Sequence, residues 1–117
     1  MVVPTKILLE TCFSPWSPQK HRNLKVEQCC LFVISDRPYI ADSPDGIVSY
    51  NCCPKAVLEI KCPFILADKS VKDGWNNLDY LNMNDKQILE LSQKHPYYIR
   101  LQGQIAVTGL KMEHFFV

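Results

Sequence analysis

Tyr39-Ile40-Ala41-Asp42-Ser43-Pro44-Asp45-Gly46-Ile47-Val48-Ser49-Tyr50, followed after a short turn by Ala56-Val57-Leu58-Glu59-Ile60-Lys61, is the stretch that decides the fold. Tyr39-Ile40 ends one β-type run. Ser43-Pro44-Asp45-Gly46 then reads as a tight turn, because proline presets one dihedral and glycine permits a positive one, and Ile47 to Tyr50 follows as a strand. Asn51 to Pro54 turns the chain again, and Pro63 terminates the β-run that begins at Ala56. On that run residues 59 and 61 point to one face while Leu58 and Ile60 point to the other. A carboxylate and an ammonium therefore share one side of a mainly apolar strand. Asp45, at the mouth of the neighbouring strand, can approach Glu59 so that two anionic groups bind a hard divalent cation.

Towards the N-terminus, Leu31-Phe32-Val33-Ile34 and Tyr39-Ile40 flank the turn-like Ser35-Asp36-Arg37-Pro38 and predict a hairpin. Thr5 is placed to cap a short helix over Lys6-Ile7-Leu8-Leu9-Glu10, which Pro15 and Pro18 would end. Towards the C-terminus, residues 67–84 are polar and irregular and read as a surface connection. Tyr80-Leu81 and Ile88-Leu89-Glu90-Leu91 suit a small hairpin. A helix is expected from Pro96, which fits a first turn, to Gly109, which fits a stop, with Tyr97, Tyr98, Leu101 and Ile105 at three- and four-residue spacing. Residues 113–117 close the chain as a strand. Strands, then a helix, then one more strand predict an α/β or mixed α+β sheet domain.

Composition bounds the function. The chain has 117 residues with 47% hydrophobic and 21% charged, which fits one domain. Its formal charge of +1 gives no bulk attraction to nucleic acid, so phosphate binding would need a local Lys and Arg cluster. No apolar run approaches the roughly 20 residues that span a bilayer, and the first residues lack a signal-peptide pattern. The expectation is a soluble, intracellular protein without membrane contact, nuclear residence being open in a eukaryote. The adjacent pairs Cys29-Cys30 and Cys52-Cys53 do not have the spacing of a zinc knuckle, since neighbours on a strand point to opposite faces.

Paired carboxylates beside a lysine suit phosphodiester hydrolysis, in which one or two Mg²⁺ ions polarise the phosphate and activate water while the lysine orients that water or offsets charge. Taken alone, Glu-Ile-Lys on a strand is commonly just a solvated face. Three ordered blocks add to it: Tyr39 to Val48, then Val57-Leu58-Glu59-Ile60-Lys61-Cys62-Pro63-Phe64, then His95-Pro96-Tyr97-Tyr98-Ile99-Arg100-Leu101-Gln102-Gly103-Gln104-Ile105-Ala106-Val107-Thr108-Gly109. In order and spacing they resemble the YqaJ-like viral recombinase family, the lambda-exonuclease-type branch of the PD-(D/E)XK nucleases. The resemblance implies a restriction-endonuclease-like core over 26–117 preceded by a shortened N-terminal segment over 1–25, and a Mg²⁺-dependent deoxyribonuclease, with Mn²⁺ as a substitute ion, acting on linear duplex DNA. It also implies roles. Asp45 and Glu59 look like the metal carboxylates, the Ile60 carbonyl like a further ligand, Lys61 like the catalytic lysine and Gln102 like the active-site glutamine. Ser43, Arg100 and Gln104 are the expected DNA contacts.

The sequence also departs from the family. Arg100 stands where the pattern usually has Gln, and Asp42 adds a negative charge beside the metal site. Leu8 to His21 resembles the segment that normally continues into a helix whose Glu faces the metals, yet Arg22-Asn23-Leu24-Lys25 runs almost straight into the first strand of the core. Loss of that helix implies weaker metal binding and an exposed sheet face. Glu10 and Glu27 are the nearest substitutes, and neither has persuasive spacing. The alternative is therefore a truncated, inactive module that binds DNA or a protein partner. Homo-oligomerisation, attack at ends and attack within the strand all remain compatible with this residue set.

Overall fold

The computed structural model describes residues 6–10 and 23–117. The chain runs β1 (Lys6–Glu10), β2 (Lys25–Glu27), β3 (Phe32–Ile34), β4 (Arg37–Asp42), β5 (Gly46–Ser49), β6 (Ala56–Ile60), α1 (Val71–Gly74), β7 (Leu81–Met83), β8 (Leu89–Leu91), α2 (Pro96–Thr108) and β9 (Met112–Phe116). Single 3₁₀ turns at Phe64–Leu66 and Trp75–Asn77 flank α1. The main sheet has the order β1-β9-β6-β5-β2, and β3-β4 and β7-β8 form separate hairpins. Strands β1, β9 and β6 are parallel, and β6, β5 and β2 are antiparallel. This mixed sheet with few helices is the architecture of a restriction-endonuclease-like core.

Register decides which side chains meet. In the parallel β6-β9 pair Val57 lies opposite Glu113 and Glu59 opposite Phe115, so these four share a face, while Leu58 and His114 share the other. On the other face the Tyr50 hydroxyl and His114 Nε2 are hydrogen-bonded at 2.7 Å. α2 lies across the Glu59 face and buries Leu101, Gln104 and Ile105. The core beneath it joins Leu101, Phe115 and Val117 to Leu66, Val71, Leu78, Tyr80, Leu81 and Leu91.

α2 begins and ends where proline and glycine place its limits. His95 is the N-cap, its Nδ1 accepting from the Tyr97 N–H at 3.1 Å, and Pro96 occupies the first turn, where a missing N–H costs nothing. Gly109 ends the helix at φ 72°, a left-handed conformation that glycine adopts without strain.

The structure corrects three expectations. Residues 6–10 form a strand parallel to β9 rather than a helix: five residues with a short apolar centre satisfy either period, and pairing with β9 decides. Thr5, Pro15 and Pro18 lie outside the described residues, as do 11–22, while Asn23 and Leu24 lead directly into β2. Residues 67–84 are no mere surface connection, because Val71, Leu78, Tyr80 and Leu81 belong to the core. Their irregular spacing hides this, since two short turns rather than one helix carry them inward. Strand alternation, used above against a zinc knuckle, does not apply to Cys52 and Cys53: they sit in the turn expected over 51–54, and their sulfurs approach to 3.3 Å rather than diverging. The β3-β4 and β7-β8 hairpins and the strand β9 occur where the sequence places them.

Phe115 is fully buried between β1 and β6 at the centre of this core. Truncation to alanine is expected to lower unfolding stability by about 3–5 kcal/mol, read from urea denaturation, because the cavity cannot close under a sheet held on both sides.

Candidate active site

Glu59 is the pivot of the site. It ends β6 at 1% exposure, and a carboxylate so far from water stays charged only with partners. Three are present. Lys61 Nζ donates to Glu59 Oε1 at 2.6 Å, Arg100 Nη2 lies 3.6 Å from the same oxygen, and Gln104 Nε2 donates to Oε2 at 3.0 Å. Lys61 follows Glu59 on the same face and is itself fixed from a second side, its Nζ lying 5.2 Å from the centre of the Tyr97 ring. Tyr97 in turn packs against Tyr80, His95 and Phe115, with ring centres 5.0, 4.6 and 6.2 Å away. The lysine is therefore placed by the core.

Asp45 belongs to the link between β4 and β5 and is exposed, but its Oδ2 accepts from the Ile60 N–H at 2.7 Å. That bond ties the turn to the end of β6 and so brings together Asp45, the Ile60 peptide and Glu59. Ser43 lies in the same link, exposed, its N–H donating to Asp42 Oδ1 at 2.7 Å. Asp42 also approaches α2: a Cβ at Gly103 would lie 3.7 Å from its Oδ2.

On α2 the structure places Gln104, not only Gln102, at the centre of the question. Gln104 is fully buried against Glu59, whereas Gln102 is half-buried with its amide nitrogen shut from solvent. Gln104, named in the sequence as a DNA contact, falls within the apolar stripe of Tyr97, Leu101 and Ile105, and the helical period accounts for its burial against Glu59. Arg100 reaches Glu59 while its side chain stays 47% exposed.

Glu113 was missed altogether. It is fully buried on the Glu59 face of β9, and among the described residues neither of its carboxylate oxygens has a hydrogen-bond partner. Burial, and next the negative charges of Glu59 and Asp42, push its pKa up to about 9, against a smaller opposing pull from Arg100. Strand alternation carries the missed signal, because Phe115 and Val117 are buried on the same side. Glu27, weighed as a substitute acid, is instead exposed on β2 and paired with Lys25, which holds its carboxyl below the usual range.

A family model for the YqaJ-like viral recombinase domain matches residues 14–111. The chain belongs to that family. As a YqaJ-like domain it falls within the PD-(D/E)XK nuclease superfamily, a family of nucleases. No curated protein and no solved structure matches the chain. Among the described residues no helix is long and apolar enough to cross a membrane.

The donors at the end of β6 fit a hard cation, since Asp45, Glu59 and the Ile60 carbonyl offer oxygen only. No three His, Cys, Asp or Glu side chains form a ready-made cage among the described residues. An ion held here would therefore rest on two carboxylates, main-chain oxygen and water, as Mg²⁺ sites commonly do.

Two outcomes follow. Gln104→Ala leaves a buried charged oxygen without its donor and should lower stability by about 1.5–3 kcal/mol, measured by urea denaturation. Glu113 takes up protons in the folded state at pH values where the unfolded chain, near 4.5, has lost them. Its contribution to stability is complete at low pH and is lost as pH rises from 4.5 to about 9. In metal-free buffer, Glu113→Gln should flatten the decline in the urea midpoint across that window.

Proposed function

We propose that this YqaJ-like domain is a Mg²⁺-dependent deoxyribonuclease that hydrolyses linear duplex DNA, with recombination or mobile-element DNA processing as its setting. The observation that carries the reading is Glu59, a carboxylate 1% exposed whose oxygens are met by Lys61, Arg100 and Gln104. A solvated strand face does not need such support, and an apolar core does not contain it. Asp45 and Glu59, with the Ile60 carbonyl, would hold the ion. When bound, such an ion neutralises the scissile phosphate and lowers the pKa of the attacking water.

The remaining work falls to the chain. Lys61, held between Glu59 and the Tyr97 ring, presents an ammonium whose other donors orient the water or meet negative charge developing on the phosphate. In the reaction the water oxygen bonds to phosphorus and the phosphorus–oxygen bond to the leaving sugar breaks. Gln104 acts through Glu59, as a positioning residue that keeps one carboxylate oxygen turned to α2. Gln102, half-buried on the same helix, is proposed to complete the pocket. Arg100 and Ser43, both exposed, are the residues offered to the DNA backbone.

Digestion of end-labelled linear duplex with Mg²⁺ tests this. Loss of substrate should vanish with EDTA and fall at least about 100-fold in Glu59→Gln and Lys61→Ala. A folded chain that retains DNA without cutting it, unaffected by both substitutions, would instead establish a binding module.

A further inference from the structure

We infer that Arg100 is a resident cation that competes with the divalent ion for Glu59 and so sets the metal affinity of this domain. The inference rests on the nuclease reading above. Glu59 Oε1 already accepts from Lys61 at 2.6 Å, and Arg100 Nη2 lies 3.6 Å from the same atom. One carboxylate oxygen is thus shared by two positive charges, while the other is held by the Gln104 amide. With both of its oxygens engaged, Glu59 does not need an ion to compensate its burial.

The two cations differ in how they are held. Lys61 follows Glu59 on the same strand face, is 22% exposed and rests against Tyr97, whereas the Arg100 side chain reaches in from the first turns of α2 and is 47% exposed. Arg100 approaches more loosely, and its guanidinium has solvent to move into. It is therefore the partner that can be displaced, and its field extends beyond Glu59, since it also acts on the buried Glu113 carboxyl. A guanidinium does not lose its proton in proteins, so the competition does not fade at working pH. An ion entering at Asp45 and Glu59 meets like charge from Arg100 until that side chain swings away. Phosphate, with which guanidinium pairs bidentately, is a group that can draw it off.

Binding of Mn²⁺ to the metal-free protein at pH 7.5, followed by the loss of the free-ion electron paramagnetic resonance signal, tests the inference without reference to activity. Arg100→Gln, which keeps helix propensity and removes the charge, should bind Mn²⁺ about fivefold more tightly than wild type, the size expected for a half-exposed charge near the site. Arg100→Lys should stay within about twofold of wild type, since it keeps the charge. Glu59→Gln identifies the signal as this site by abolishing it. Equal or weaker binding in Arg100→Gln, while wild type shows Glu59-dependent binding, would overturn the inference and leave the nuclease reading standing. Tighter binding in both Arg100 variants would also overturn it, because loss of charge would not be the cause. Absence of Glu59-dependent binding from wild type and from Arg100→Gln would overturn both.

Discussion

A carboxylate removed from water must be answered by charge or hydrogen bonds, and the answer given to Glu59 organises this molecule. One partner, Lys61, comes from its own strand, and two, Arg100 and Gln104, come from α2. The helix is therefore bound to the sheet by a polar contact as well as by Leu101 and Ile105. Without Glu59 both cations would lose their common partner and the Gln104 amide would be left buried and unpaired.

The same constraint explains why the aromatic residues lie where they do. Tyr97 packs between Tyr80, His95 and Phe115 and presents its ring to Lys61, so the apolar core ends in a surface that holds an ammonium. Tyr97, expected on the apolar side of α2, is thereby engaged in packing. Glu113 is the counterpart on β9. It lies on the same face without a hydrogen-bond partner among the described residues, and burial first, then the negative charges of Glu59 and Asp42, push its pKa up. The site thus sets Glu59, whose oxygens are met by Lys61, Arg100 and Gln104, beside a second buried carboxyl that has no such partner among the described residues.

Much of this was legible in the chain because two periods are strict. Alternation along a strand puts Glu59 and Lys61 on one face, and Asp45 lies at the mouth of β5, where its Oδ2 takes the Ile60 N–H. The expected tight turn is only a bend, and Gly46 serves by its close approach to the Glu27 carbonyl rather than by a positive φ. Pro96 and Gly109 bound α2 for reasons local to the backbone. What was hidden depends on contacts across sequence. Residues 6–10 become a strand only because β9 offers an edge. The apolar residues of 67–84 reach the core through short turns that have no period to detect. Gln104 and Glu113 were within reach of the helical and strand periods, yet polar residues on buried stripes are read as exceptions until a partner such as Glu59 is seen. Arg100 meets Glu59 only through the docking of α2 on the sheet, which no local pattern encodes.

The proposed nuclease chemistry stands on a cation site at the end of β6, built on Glu59. Its most direct test is the anomalous difference map of crystals of the chain soaked in Mn²⁺. A peak is expected at about 2.1 Å from carboxylate oxygens of Asp45 and Glu59 and from the Ile60 carbonyl. A well-ordered crystal with no peak there, or with its peak at carboxylates elsewhere, would contradict it.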